Sequence, residues 1–204
     1  MAEQSALIER AKEGDVAAFE RLIGDELPRV RRFARSICRN QAEADDLAQD
    51  ALLKAYVSIR SYRFQATFST WLFRIVRNAF IDYTRSAHGK RAARSQPIGP
   101  ELELPAHEQG RPDVSLARRE LSAQLWGALQ ALPVEYRTAI VLFDVEGFSQ
   151  EEVAAVEGVA VGTIKSRLSR GRRQLRGILE GQGLVPAAGN ESGTDLVQHR
   201  SSSP

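Results

Sequence analysis

The chain has 204 residues, of which 43% are hydrophobic and 26% charged, the composition of an ordinary globular protein. Its formal net charge is only +2, yet acids and bases are segregated along the chain, and local charge decides which partners a surface attracts. No apolar run reaches transmembrane length and no secretory signal opens the chain, so we expect no membrane insertion and a cytoplasmic location.

Helical apolar spacing extends over the first 86 residues. Gly14 and Asp15 mark a break, and Pro28 opens a third segment or kinks it. Long alternating runs of β-branched residues, which would indicate strands, are absent from the sequence. The pattern therefore predicts an all-α fold.

A cluster of carboxylates lies within residues 43–53, EADDLAQDALL. Leu47 and Ala51 of this helix can face inward, which leaves the acidic side chains toward solvent. The acidic residues are Glu43, Asp45, Asp46 and Asp50. An exposed acidic helix suits docking onto a basic protein partner.

Residues 60–94 combine basic and aromatic side chains, with Asp82 as the one acid. The bases are Arg60, Arg63, Arg74, Arg77, Arg85, Lys90, Arg91 and Arg94. The aromatics are Tyr62, Phe64, Phe68, Trp71, Phe73, Phe80 and Tyr83, half of the 14 in the chain. This mixture suits single-stranded DNA, because phosphates attract cations while unstacked bases need flat apolar surfaces.

Some of these aromatics have a structural alternative. One helix face is apolar and predicts a core that can include Tyr83: Leu72, Ile75, Val76, Ala79 and Tyr83. Trp71 adjoins that face, either as a core anchor or as a platform for a base. Tyr62, Phe64 and Phe68 precede the helix, where no periodicity accounts for them, so we expect them to be exposed for stacking.

A proline-rich stretch divides the chain, since four of the eight prolines lie between residues 97 and 112 and no regular element can cross them. Helical periodicity resumes after it, and the last residues are rich in Gly, Ser and Pro. We predict four segments: a helical domain (1–90), a flexible linker (91–112), a second helical domain (113–183) and a disordered tail (184–204).

Residues 149–176 read SQEEVAAVEGVAVGTIKSRLSRGRRQLR, the layout of a helix-turn-helix. Ser149 and Glu152 predict a capping box, and Gly158 predicts the end of the first helix. The second helix has a buried stripe of Ile164, Leu168 and Leu175. Its opposite face, predicted to meet phosphates and base edges, carries Ser166, Ser169, Arg170, Arg173 and Arg176.

Charge is segregated between these two helices. The first carries Glu151, Glu152 and Glu157 and no base. The second carries no acid and six bases: Lys165, Arg167, Arg170, Arg172, Arg173 and Arg176. A solvated amphipathic helix normally mixes the two signs, so this separation favours a DNA-recognition helix backed by a support helix.

The sequence offers no arrangement for catalysis. The single cysteine, Cys38, excludes an internal disulfide and lies in no catalytic motif, so we expect a small residue on a helix face. The histidines are isolated and cannot assemble a metal site: His88, His107 and His199. Because no phosphate loop or nucleophile elbow is present either, we expect neither enzyme activity nor a cofactor nor a metal.

The order of these segments resembles that of a bacterial sigma factor of the small, two-domain extracytoplasmic-function group, over about residues 5–180. AEADDLAQDALLKAY is similar to the family's region 2.2, and FSTWLFRIVRNAFIDYTR is similar to regions 2.3 and 2.4. The segment LPVEYRTAIVLFDVEGFSQEEVAAVEGVAVGTIKSRLSRGRRQLR is similar to region 4. The resemblance implies two small helical domains joined by the proline-rich linker, the second a helix-turn-helix domain.

The resemblance also implies partners: core RNA polymerase through its β′ clamp helices and β subunit, promoter DNA both duplex and single-stranded, and an anti-sigma factor. Residues implied to face polymerase are Asp45, Asp46, Leu47, Gln49 and Asp50. Residues implied to bind or melt the minus-10 element are Tyr62, Phe64, Phe68, Trp71, Arg77, Asn78 and Asp82. Residues implied to contact the minus-35 duplex are Thr163, Lys165, Ser166, Arg167, Ser169, Arg170 and Arg173.

Two positions depart from the family pattern. Glu157 stands where an aliphatic residue is usual, and predicts a helix end that is exposed or paired with a nearby arginine. Phe64 stands where many relatives have a small or turn-forming residue. Two other functions remain open from the sequence: a stand-alone helix-turn-helix transcriptional regulator, and an interaction module that docks through residues 43–56.

Overall fold

The computed structural model describes residues 2–92 and 116–186, and this part of the chain is helical without a β-strand. The all-α prediction is therefore confirmed. The helices are α1 Ala2–Lys12, α2 Val16–Gly24, α3 Leu27–Ile37, α4 Gln41–Ser58, α5 Phe68–Ala92, α6 Leu116–Gln130, α7 Val134–Ile140, α8 Gln150–Glu157 and α9 Val161–Gly181.

The breaks between the first helices lie where the sequence predicts them. Gly14 adopts a left-handed φ of 101°, and Asp15 then caps α2 by accepting a hydrogen bond of 3.0 Å from the backbone N–H of Ala18. Pro28 lies in the first turn of α3, where its missing N–H has no intrahelical partner to lose. It therefore opens the helix and does not kink it.

Helices α3, α4 and α5 form the core of the first half of the chain. Phe33 of α3 and Phe73 of α5 are fully buried, with ring centroids 5.4 Å apart. Cys38 ends α3 and is buried, and this burial raises the pKa of its thiol to about 12. The thiol therefore behaves as a small apolar group, in keeping with the sequence expectation.

In the second half of the chain, α8 and α9 form the predicted helix-turn-helix. Ser149 and Glu152 form the reciprocal capping box, and Gly158 ends α8 in the left-handed conformation. The inner face of α9 is buried at Ile164 and Leu168, as predicted, whereas Leu175, the third residue of the predicted stripe, is half-buried. Helix α9 approaches α7 closely at Gly171. A Cβ atom added there would lie only 2.9 Å from Cδ1 of Ile140.

The two halves pack face to face, α3 against α7 and α5 against α8, and their buried residues form one continuous apolar cluster. Phe148 of the second half places its ring centroid 4.9 Å from that of Phe73. At the C-terminal end of α3, the carbonyl oxygen of Ser36 accepts hydrogen bonds of 3.2 Å from Gln130 and 3.0 Å from Arg137.

Two predicted segments, the linker and the tail, fall mostly outside the described residues. Helix α5 continues to Ala92, two residues into the predicted linker, and the remainder of that linker is not described. The predicted tail is described only as far as Pro186. Of the helices in the described part, none is both long and apolar enough to span a membrane.

Candidate nucleic-acid and polymerase interface

The acidic surface of α4 is built on a well-capped helix. The side chain of Asn40 accepts a hydrogen bond of 2.9 Å from the backbone N–H of Glu43. Among the predicted docking residues, Asp46, Gln49 and Asp50 are exposed to solvent. Asp45 is half-buried. Leu47, by contrast, is only 4% exposed and points into the core, so it supports this surface from beneath.

The loop before α5 folds back on the helix, and the expected exposure of two of its aromatics is wrong. Tyr62 is 5% exposed and Phe68 is 2% exposed. The Tyr62 ring packs against Trp71 at a centroid distance of 5.3 Å, and its hydroxyl donates a 2.7 Å hydrogen bond to the carbonyl of Ala66. Trp71 is also buried, which makes it a core anchor. Helical periodicity could not reveal this packing, because it arises from a turn of the chain.

Phe64 is the aromatic that stays at the surface, with 45% of the residue exposed. Its φ is 57°, a left-handed conformation that is uncommon for a bulky residue and costs about 1 to 2 kcal/mol. The ring lies 4.9 Å from that of Tyr62, and Nζ of Lys12 lies 4.6 Å from its centroid. The contact with Lys12, on α1, could not be foreseen from the sequence, because nothing local links that residue to this loop.

Residues of α5 predicted to read the same DNA element do not share one face. Arg77 faces the second half of the chain, with Nε 3.6 Å from a carboxylate oxygen of Glu157. Asn78 and Asp82 instead line a shallow groove beside α4, where Asp82 lies 3.7 Å from Nζ of Lys54. Tyr83 is 39% exposed, so it lies outside the core that the apolar stripe predicted.

On α9 the predicted DNA face is exposed, as expected: Lys165, Ser166, Ser169, Arg170, Arg173 and Arg176 all lie toward solvent, and Thr163 is half-buried. The separation of charge along the sequence does not persist in the fold, because three of the six bases pair with acids. The pairs are Arg167 with Glu157 at 3.2 Å, Arg172 with Asp144 at 2.6 Å and Arg176 with Glu180 at 2.8 Å. Two of these acids lie on other elements, where the charge pattern of the helix could not reveal them. Lys165, Arg170 and Arg173 make no ion pair with the rest of the described chain.

Glu157 is buried between the two halves, with its side chain 3% exposed. Burial raises the pKa of its carboxyl group, and the guanidinium groups of Arg77 and Arg167 offset part of that rise. The residue thus connects an arginine predicted for minus-10 DNA to one predicted for minus-35 DNA. The sequence marked Glu157 as a departure and its pairing with a nearby arginine is confirmed, but the contact with Arg77 could not be foreseen.

Arg29 and Arg32 of α3 are a further pair that the sequence did not single out. Arg32 Nε donates to a carboxylate oxygen of Glu146 at 2.6 Å, and Arg29 Nε donates to the other at 3.1 Å. The guanidinium of Arg29 also lies 5.2 Å from the ring centroid of Phe148. No cluster of His, Cys, Asp or Glu suited to a metal ion occurs within residues 2–92 and 116–186.

Residues 22–89 match the family description Sigma-70 region 2, and residues 122–175 match Sigma-70, region 4. The chain is 37% identical over 169 residues to the ECF RNA polymerase sigma factor SigE of Mycolicibacterium smegmatis, covering 81% of this chain and 64% of the relative. It is 36% identical to SigM of Mycobacterium tuberculosis (81% and 79%) and 33% identical to SigW of Bacillus subtilis (83% and 90%).

Solved structures agree with this similarity. The sigma factor RpoE of Bartonella quintana, in complex with the anti-sigma factor NepR, superposes with a TM-score of 0.69 at 32% identity, covering 81% of this chain and 98% of that one. CnrH, in complex with the cytosolic domain of CnrY, superposes with a TM-score of 0.63 at 26% identity, covering 89% and 99%. The chain therefore belongs to the extracytoplasmic-function family of RNA polymerase sigma factors.

Proposed function

We propose that this sigma factor docks on core RNA polymerase through α4, grips a minus-35 duplex with α9 and holds an unpaired base of the minus-10 element with the loop before α5. The observation that carries the proposal is the presence on one chain of an exposed basic row on a helix-turn-helix and an exposed aromatic beside a lysine. A simple duplex binder needs only the first. An initiation factor that opens DNA needs both.

The grip on duplex DNA rests on α9. Lys165, Arg170 and Arg173 are exposed and unpaired by acids in the described chain, so their charges are available to phosphates or guanine edges. Ser166 and Ser169 lie among them and add shorter hydrogen-bonding groups. The buried stripe and Gly171 fix the helix against α7, so the row is presented from a rigid support.

Capture of an unpaired base rests on Phe64. Its ring is half exposed and has Lys12 beside it, whose ammonium group also pairs with Glu9 at 3.1 Å. We propose that a base stacks on the ring and that the adjoining phosphate draws on the charge of Lys12. Tyr62, Phe68 and Trp71 act beneath it as buried support, and not as stacking surfaces themselves. Arg77, Asn78 and Asp82 complete the proposed minus-10 site from two sides of α5.

Docking on polymerase rests on the exposed carboxylates of α4, which suit the basic side chains of a partner such as the β′ clamp helices. The helix-turn-helix domain adds a contact with the β subunit. Because RpoE and CnrH were solved with an anti-sigma factor and with the cytosolic domain of CnrY respectively, we propose an anti-sigma factor as the usual control. The protein then acts in the bacterial cytoplasm, where polymerase works.

Reconstituted transcription tests the proposal. Core polymerase supplemented with the full chain should start transcription at specific promoters, and core alone should not. Asp46→Arg should abolish co-purification with core, because it places a cation against a basic partner, whereas Glu20→Arg, an exposed change of equal charge on α2, should not. Unimpaired binding of core by Asp46→Arg would exclude this docking surface, and duplex binding without promoter-specific transcription would favour the stand-alone regulator.

A further inference from the structure

Helix α1 contributes one side chain to the loop that carries Phe64. The match to region 2 begins at residue 22, so α1 lies outside the matched residues. The helix is nevertheless anchored to the first half of the chain, because Ile8 and Ala11 are buried. Its last residue, Lys12, places Nζ 4.6 Å from the ring centroid of Phe64. The end of α1 is therefore a direct neighbour of the loop that is proposed to hold an unpaired base.

Lys12 is held closely against the loop. Only 19% of its side chain is exposed, and Nζ also lies 6.0 Å from the ring centroid of Tyr62. The pair that its ammonium group makes with Glu9 is a surface contact within α1, because the side chain of Glu9 is 60% exposed. The aliphatic stem of a lysine can cover apolar surface while its charged head faces a ring. Lys12 thus approaches both aromatic rings from a fixed helix.

Phe64 adopts a conformation that its own backbone does not favour. Its φ of 57° lies in the left-handed region, where the Cβ of any residue other than glycine is crowded. Because 45% of the residue is exposed, burial offsets little of that strain. Two contacts hold the ring: Tyr62 at a centroid distance of 4.9 Å, and the ammonium group of Lys12. The electron-rich face of an aromatic ring attracts a cation, so Lys12 stabilises the ring in this position.

We propose that Lys12 is a positioning residue for base capture: its ammonium group holds the ring of Phe64 in the exposed, left-handed conformation in which a base can stack on it. The inference rests on the proposed function, because it takes Phe64 as the stacking surface. Lys12 strengthens base stacking only through the ring, so the two residues act as one unit. Attraction of the same ammonium group to a phosphate is a separate contribution, which does not depend on the presence of a base.

Two single-stranded probes separate base stacking from phosphate binding. One is a labelled thymidine oligonucleotide of about 12 nucleotides, and the other is an abasic strand of the same length, which keeps every phosphate but offers no base. Phosphate contacts contribute equally to both affinities, so the ratio of the two at the same low salt concentration measures stacking. We expect the full chain to bind the thymidine strand about tenfold more tightly than the abasic strand.

Removal of the cation should lower this affinity ratio. Lys12→Met keeps an unbranched apolar stem without the charge, and the ratio should fall about threefold. Lys12→Arg, which places another cation beside the ring, should retain most of the ratio. Phe64→Ala should reduce the ratio to about one, and adding Lys12→Met to it should change the ratio no further, because the two residues act as one unit. Arg31→Met, which removes an exposed positive charge from α3, is the control and should leave the ratio unchanged.

Either of two results overturns the proposal. An unchanged ratio in Lys12→Met would mean that the lysine binds phosphate only or takes no part, and an equal fall in Lys12→Arg would assign its effect to packing and not to charge. Circular dichroism and a cooperative thermal transition establish that each variant is folded, and Lys12→Gln replaces Lys12→Met if that protein does not fold. A ratio of about one for the unaltered chain would reject base capture itself, and the inference with it. Co-purification with core polymerase tests the rest of the proposed function separately.

Discussion

The two proposed DNA surfaces differ in how accessible the folded chain leaves them. On α9, Arg170 and Arg173 are exposed and make no ion pair within the described residues. On α5, Arg77 is covered by the second half and lies against Glu157. Duplex DNA is present before any protein binds, so the surface of α9 that is proposed to recognise it can be exposed in the free chain. Unpaired DNA appears only after strand separation, and the groups proposed to bind it differ in access: Arg77 lies beneath the second half, whereas Phe64 stays at the surface.

The largest effect is expected on the accessible surface. Changing Arg170 and Arg173 together to alanine should weaken binding to a minus-35 duplex on the order of a hundredfold, since each base-edge contact is worth about 1 to 3 kcal/mol. If instead each arginine binds phosphate, the slope of log affinity against log salt should fall by about one per residue. Fluorescence anisotropy over a salt series measures both. Arg172→Ala, which removes an arginine already paired with Asp144, is the control.

Phe64→Ala should act on strand opening and spare duplex binding. Loss of a stacking surface worth about 1 to 3 kcal/mol per base should reduce opening of linear promoter DNA. A template with a pre-melted bubble should recover much of the transcription, and Phe64→Trp should retain opening. Permanganate footprinting of unpaired thymines is the measurement. Normal opening by a folded Phe64→Ala protein would mean that the exposed ring holds no base.

Gly171→Ala tests whether the exposed bases of α9 depend on the close packing of this helix against α7. The new Cβ would lie 2.9 Å from Ile140, so the second half should lose about 1 to 3 kcal/mol of unfolding free energy. Gly177→Ala, where nothing lies within 4 Å, should instead gain about 0.5 to 1 kcal/mol, as expected for a helix interior. Chemical denaturation of both variants checks this. Equal stability would show that α9 can shift to make room.

The smallest effect concerns Cys38, buried at the end of α3. Because the pKa of its thiol is about 12 in the folded chain, almost no thiolate forms at pH 8 and alkylation should be slow until the protein unfolds. The folded chain favours the neutral thiol. The stabilisation that the buried thiol contributes to the free energy of unfolding is therefore complete below its unfolded pKa of about 8.5 and is lost as pH rises toward 12. Rapid labelling of the native protein at pH 8 would contradict the burial.

Local features were predictable from the sequence because their causes are local. The caps at Asp15 and Ser149, the left-handed Gly158 and the buried stripe of α9 each depend on residues within a few positions of one another. The inward direction of Leu47 was likewise available from periodicity.

Features that depend on distant parts of the chain were not predictable. Tyr62 and Phe68 are buried because their loop turns back onto α5, and a loop has no period from which its inward side can be inferred. Glu146 and Arg32 are 114 positions apart, and nothing in either segment specifies the other. The sequence therefore identified the helices that carry the proposed site. It did not show which side chains of that site are buried or contact the other half of the chain.

The end of α3 has a consequence for motion. The last carbonyls of a helix have no intrahelical donor, and here Gln130 and Arg137 of the other half supply donors to the carbonyl of Ser36. Water can replace both donors when the halves separate. The carbonyl of Ser36 therefore keeps hydrogen-bond partners in both states, and the contact can break and re-form. Amide hydrogen exchange in the last turn of α3 should therefore report on how often the chain opens, without any label or ligand.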